Sequence, residues 1–233
     1  MTRRIFDDES RYLDRYGLLL VVTTIAVVTL SLIDLGPRDD LASALGQLTV
    51  SVFVGATLLI ALQASGVRRR YQLIANIGIG VGILASLVVV LLQALGDGDA
   101  AGLGATSLVW TVLSLFAPIL VIRRLVRHRA ASVKTLLGAV SAYLLIALAF
   151  TFMFLDVNAF GRSFFGSDEP TTSFMYYSLV TITTLGYGDL AAAEPIGRLL
   201  STIEAVVGQV YLVTFVAMIV GLLVAQAQRA RDG

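Results

Sequence analysis

The chain has 233 residues, 57% of them hydrophobic and only 14% charged, a balance that excludes an ordinary water-soluble domain and points to a polytopic membrane protein. It has no cysteine, which excludes a disulfide framework and any thiolate metal site. The formal net charge of +1 excludes little by itself, so the placement of the charges along the chain carries the argument.

Residues 1–16 are polar. Thr2-Arg3-Arg4-Ile5-Phe6 has the look of a twin-arginine export signal, but the acidic Asp7-Asp8-Glu9 and the missing small-residue cleavage site favour a cytosolic lead-in. Five long apolar segments follow: Gly17 to Ile33, Leu41 to Ser65, Tyr71 to Leu95, Leu103 to Ile122 and Thr135 to Leu155. Each reaches or approaches the ~20 residues that a helix needs to cross the hydrocarbon core. The only histidine, His128, sits in the basic run Arg123 to Lys134, where it reads as part of the run rather than as a metal ligand. A sixth segment, Leu199 to Ala227, is long enough to cross tilted or to project beyond the bilayer. Residues 17–134 are therefore predicted to form a four-helix domain ending in a basic linker, and 135–233 a second domain.

Between the fifth and sixth segments lies Thr171 to Thr183, helical in pattern but too short to span, and predicted to be a re-entrant half-helix. Its carboxyl end aims negative dipole toward any cation beneath it. It runs into Thr183-Thr184-Leu185-Gly186-Tyr187-Gly188-Asp189, an irregular stretch set among apolar ones. Gly186 and Gly188 lack a Cβ and take positive φ at little cost, so the backbone there can alternate in hand and point successive carbonyls the same way. A ring of such carbonyls from several subunits can replace the hydration shell of a monovalent cation, with the Thr184 hydroxyl adding one more oxygen at the inner end. Leu185 and Tyr187 would then turn outward as packing residues. The alternative is a glycine-rich surface turn that happens to spell this string.

Basic residues give the orientation. All of them except Arg38, Arg162 and Arg198 fall on one side of the predicted spans, which places both termini in the cytosol and opens the glycine end of the re-entrant loop outward. The acidic Asp39-Asp40, Asp97-Gly98-Asp99 and Asp168-Glu169 fall on the outer side.

The stretch Thr184 to Gly188 resembles the selectivity filter of potassium channels, with Leu185 where valine is usual, and Thr135 to Ala227 is similar to the pore module of bacterial two-transmembrane ion channels. The resemblance implies an all-α integral membrane fold of six transmembrane helices plus a re-entrant pore helix and filter loop, assembled as a homotetramer. It implies K+ held by the backbone carbonyls of Thr184, Leu185, Gly186 and Tyr187, with Gly188 completing the loop. It implies passive conduction without enzymatic activity and without a cofactor other than the permeant ion. Tyr176 and Tyr177 fall where the family has a pair of pore-helix aromatics packed as a cuff around the filter tyrosine; ordinary interfacial tyrosines are the alternative. Val180 occupies the place of a filter-supporting glutamate found in some relatives. Gly208 falls where the inner helix often has a hinge, and close helix packing is the competing role. Glu204 is expected in the shell supporting the filter, or else at the interface. Asp189 is expected either to raise the cation concentration at the mouth or to hydrogen-bond the loop. Expected partners are further copies of the chain and the bilayer, with anionic lipid at the basic linker and no nucleic acid; the expected location is a bacterial inner membrane.

Four helices ahead of a pore module invite a voltage-sensor reading, which the residues refuse. From Leu103 to Ile122 there is no arginine or lysine. A charge crossing the field gains about 2.3 kcal/mol per 100 mV, so steep gating needs several charges inside the membrane. Pro118 is expected to kink the fourth helix. No cytosolic ligand-binding domain is expected in the short stretch after Ala227, and no gating stimulus is legible. The competing readings are a less selective cation channel, the membrane subunit of a potassium transporter, and a non-conducting membrane protein.

Overall fold

A computed structural model describes residues 15–34, 41–64, 69–94, 101–127, 133–160 and 163–232. The expectations placed on residues 1–14, Arg38 to Asp40, Arg68, Asp97 to Asp99, His128 and Arg162 lie outside the described residues. All regular structure among the described residues is helical.

The helices are α1 (Arg15–Leu32), α2 (Leu41–Ala64), α3 (Arg69–Ala94), α4 (Ala101–Arg127), α5 (Val133–Ala159), α6 (Thr171–Ile182), α7 (Pro195–Val210) and α8 (Ala217–Asp232). A π-helical turn, Tyr211–Val216, joins α7 to α8 without a break, so the predicted sixth segment is one rod that starts at Pro195 and runs on to Asp232. Pro195 suits that start: the first helical residue has no use for its N–H, and Glu194 before it is extended, with φ −87° and ψ 147°. Pro118 lies inside α4, which continues through it to Arg127, beyond the predicted end at Ile122.

Three helical stretches are long and apolar enough to cross a membrane by length and composition: Leu108–Val126, Val133–Ala159 and Pro195–Leu222. Within the described residues the apolar parts of α1 to α3 are shorter, at Tyr16–Leu32, Ser51–Gln63 and Asn76–Val88. Six full-length spans were expected, and the described residues supply three. Hydroxyls on these apolar helices satisfy themselves on their own backbone, as Thr23 Oγ1 does on the Leu19 carbonyl at 2.7 Å and Thr151 Oγ1 on that of Ala147 at 2.9 Å. Ser51 and Ser86 bond each other across α2 and α3 at 2.9 Å.

Helix α5 is the hub. It packs against α4 and α1 on one side and against α6 and α7 on the other, and α1 also touches α6. Its buried run from Leu145 to Phe152 is nearly continuous, because neighbours cover it on more than one face. A cluster of aromatic rings gathers near the end of α5: Phe154 of α5, Phe164 and Phe165 of the following loop, and Phe174 and Tyr177 of α6, with Phe154–Phe164 and Phe165–Phe174 centroids 4.8 and 4.9 Å apart.

Candidate ion-conducting loop

Helix α6 is held at both ends by groups distant in sequence. At its start Asp34, just past the end of α1, accepts hydrogen bonds on Oδ1 from Thr171 N and Thr171 Oγ1, both at 2.9 Å. A carboxylate there answers the unpaired N–H groups and the positive end of the helix dipole. At its finish the chain folds back on the last turn. Thr184 N donates to the Thr181 carbonyl at 2.9 Å, and Leu185 N and Gly186 N both donate to that of Val180, at 3.0 and 3.3 Å. The Ile182 carbonyl accepts the Tyr143 hydroxyl of α5 at 2.8 Å.

From there the backbone alternates in hand. Thr184 has φ 58°, Gly186 φ 53° and Gly188 φ 79°, while Leu185 and Tyr187 between them do not have positive φ. Thr184 is the unforeseen member: a β-branched residue seldom enters the left-handed region, and residue type gave no signal for it. Alternation of this kind turns successive peptide planes so that their carbonyls share one direction. The whole loop from Thr183 to Asp189 is exposed on the single chain, Leu185 at 56% and Tyr187 at 67%. Among the described residues nothing lies within 4 Å of where a Cβ on Gly186 or Gly188 would stand, and these residues leave Leu185 exposed.

The two tyrosines of α6 part company. Tyr176 stacks on Tyr187 with centroids 6.4 Å apart and planes 3° from parallel, and its hydroxyl donates to Asp189 Oδ2 at 2.7 Å. Tyr177 turns instead into the aromatic cluster, 5.4 Å from Phe154, and its hydroxyl bonds Ser201 Oγ of α7 at 2.9 Å. Within one chain, then, Tyr177 is not the neighbour of Tyr187. Asp189 takes the hydrogen-bonding role, joining the loop to α6.

Glu204, on α7, is fully buried. Its Oε1 is 2.5 Å from Ser178 Oγ of α6, and the same hydroxyl donates to the Ala147 carbonyl of α5 at 2.8 Å. Glu204 is therefore tied to α6 through Ser178. Gly208 marks the closest approach of α7 to α6. A Cβ there would stand 2.5 Å from Ile182 Cγ1 and 2.9 Å from its carbonyl oxygen, so a side chain is excluded by packing. By contrast a Cβ on Gly221 would meet nothing within 4 Å. Sequence reasoning missed Asp34, Tyr143, Ser178, Phe164 and Gln209; of these only Asp34, an acid at the end of a span, carried a signal that could have been read.

Among the described residues no group of three or more His, Asp or Glu side chains could hold a metal ion.

A family model described as "Ion channel" matches residues 138–225, which run from Gly138 in α5 through α6 and the loop to Ala225 in α8. This part of the chain is similar to that family. Comparison with curated proteins and with solved structures gave no match.

Proposed function

We propose that the chain is one subunit of a homotetrameric, potassium-selective channel that conducts passively, with Thr184, Leu185, Gly186, Tyr187 and Gly188 as its filter. The observation that carries this is the alternation of hand at Thr184, Gly186 and Gly188 directly after a half-helix, inside the stretch that matches an ion channel. Dehydrating K+ needs a stack of oxygens around an axis, and one exposed loop supplies one side of it. Four copies close the ring. Tyr176 and Asp189 support the loop from the outside, Glu204 through Ser178 from behind, and Tyr177 belongs to the aromatic wall.

In this reading six helices cross a bacterial inner membrane with both termini cytosolic, following the basic residues. The run Arg123 to Lys134 lies on the inner leaflet against anionic lipid. Residues 17–134 form a domain without gating charges: in α4 the arginines begin at Arg123, where the apolar stretch ends.

The test is flux from liposomes reconstituted with the purified protein, K+ against Na+, over a range of imposed potentials. Potassium flux should exceed sodium flux and vary weakly with voltage, and Gly186→Ala should abolish it or its selectivity. A Cβ at φ 53° is strained, by on the order of 1 kcal/mol or more in each subunit. Equal K+ and Na+ flux would leave a less selective cation channel. An assembled Gly186→Ala protein that still conducts K+ selectively would remove this loop from the ion path.

A further inference from the structure

The inner helix meets the glycine loop through one side chain that the proposed ligand set does not use. Gln209 Nε2 donates to Thr184 Oγ1 at 3.1 Å. It arrives there because Gly208, one residue earlier, lets the α7 backbone press on Ile182 with no side chain between. The Ile182 carbonyl is meanwhile held from α5 by Tyr143. The last turn of α6 is thus fixed from two helices, and Gln209 takes hold of the residue two places on.

That residue is the strained one. Thr184 is the only non-glycine with positive φ among the described residues. A hydroxyl has one proton and two lone pairs and rotates to suit its partners. Occupying one lone pair with an amide N–H stops the rotation and leaves the other lone pair in a fixed direction. Thr184 is also exposed, so its oxygen is open to a ligand from outside the chain.

We propose that Gln209 is a specificity-determining residue of the conduction path: its amide fixes the Thr184 hydroxyl as a ligand at the inner end of the loop, and so sets how tightly that end holds a cation. This rests on reading residues 184–188 as the filter. With four copies, a ring of four amides lies beneath the filter, each acting through its own threonine. Its side-chain hydrogen bond goes to Thr184, so the inner end is the part it tunes.

Ba2+ serves as the probe, because it is close to K+ in size with twice the charge and is held longer by the same oxygens. Block of K+ flux by Ba2+ is measured for the native protein, Gln209→Met, Thr184→Ala and the double variant. Methionine keeps the length and volume but has no donor. Gln209→Met should weaken block by about tenfold, four weakened contacts acting on one ion. Thr184→Ala should weaken it at least as much, and adding Gln209→Met to Thr184→Ala should change nothing more, since the amide acts only through the hydroxyl. Unchanged block in Gln209→Met, or effects that simply multiply in the double variant, would overturn the proposal. Gln209→Asn, one methylene too short to reach, replaces the methionine variant if that fails to assemble. If Thr184→Ala also leaves block unchanged and Gly186→Ala still conducts selectively, the filter reading falls as well. Failure of the Gln209 arm alone leaves that reading intact.

Discussion

Helix α5 and the rod from α7 into α8 are both long and apolar enough to span, yet over an 18-residue apolar stretch of each, 67% of the first is buried within the chain and only 22% of the second. Composition gives no hint of this, since both are rich in Leu, Val and Ala. What separates them is company. Helix α5 touches α1, α4, α6 and α7, whereas the rod rests on α5 and α6 along one side and presents Leu199, Val206, Val210 and Val213 outward. Lipid would accept such a face. Under the proposed function, further copies of the chain cover it beside the exposed loop.

The sharpest way to break this contrast is at a place where the rod is as tightly covered as α5. Gly208→Val should prevent assembly, and Gly208→Ala should destabilise it by about 1–3 kcal/mol per chain, because Ile182 must move. Thermal unfolding of the purified channel in detergent measures this. A Gly208→Ala protein as stable as the native one would restore the free-hinge role and deprive Gln209 of its register. A smaller effect is expected at the far end of α6. Asp34→Ala removes the cap on Thr171 and should cost about 1 kcal/mol, seen as faster amide hydrogen exchange at the start of α6 and not in α7. Unchanged exchange there would mean that α1 contributes packing alone. The smallest is Tyr187→Phe: the stack on Tyr176 depends on the ring, and the hydrogen bond to Asp189 comes from Tyr176, so selective flux should survive. Tyr176→Phe loses that bond, worth about 0.5–1.5 kcal/mol, and should perturb flux more. The reverse order would place the hydroxyl of Tyr187, rather than that of Tyr176, in the support of the loop.

The sequence was readable where the signal is local. The start of the second helix at Leu41, the half-helix from Thr171 and the left-handed glycines follow from length, periodicity and the missing Cβ, and the helices come within a few residues of their expected bounds. What escaped is tertiary. Asp34 caps a helix whose first residue lies 137 positions away. Glu204 finds Ser178 only once α7 has docked on α6, and the positive φ of Thr184 runs against its residue type, so it comes from the fold-back onto the Val180 carbonyl. Tyr176 and Tyr177 are adjacent and chemically identical, so nothing in the string tells which one meets the loop. Helix rotation decides it.

The π-helical turn at Tyr211–Val216 has a consequence for anyone mapping the lower half of the rod. A π turn closes hydrogen bonds over five residues where the α-helix uses four, so it inserts one extra residue into the winding. One residue is about 100° of rotation. Side chains of Ala217 to Leu222 are therefore turned by about that angle from where a single helical wheel begun at Pro195 would put them. The stripe that continues the face of Val206 and Val210 downward belongs to a different set of positions than the spacing of three and four predicts. Drawn as one wheel, the rod is misread below Val216; drawn as two wheels joined at the π turn, its lower face can be assigned position by position.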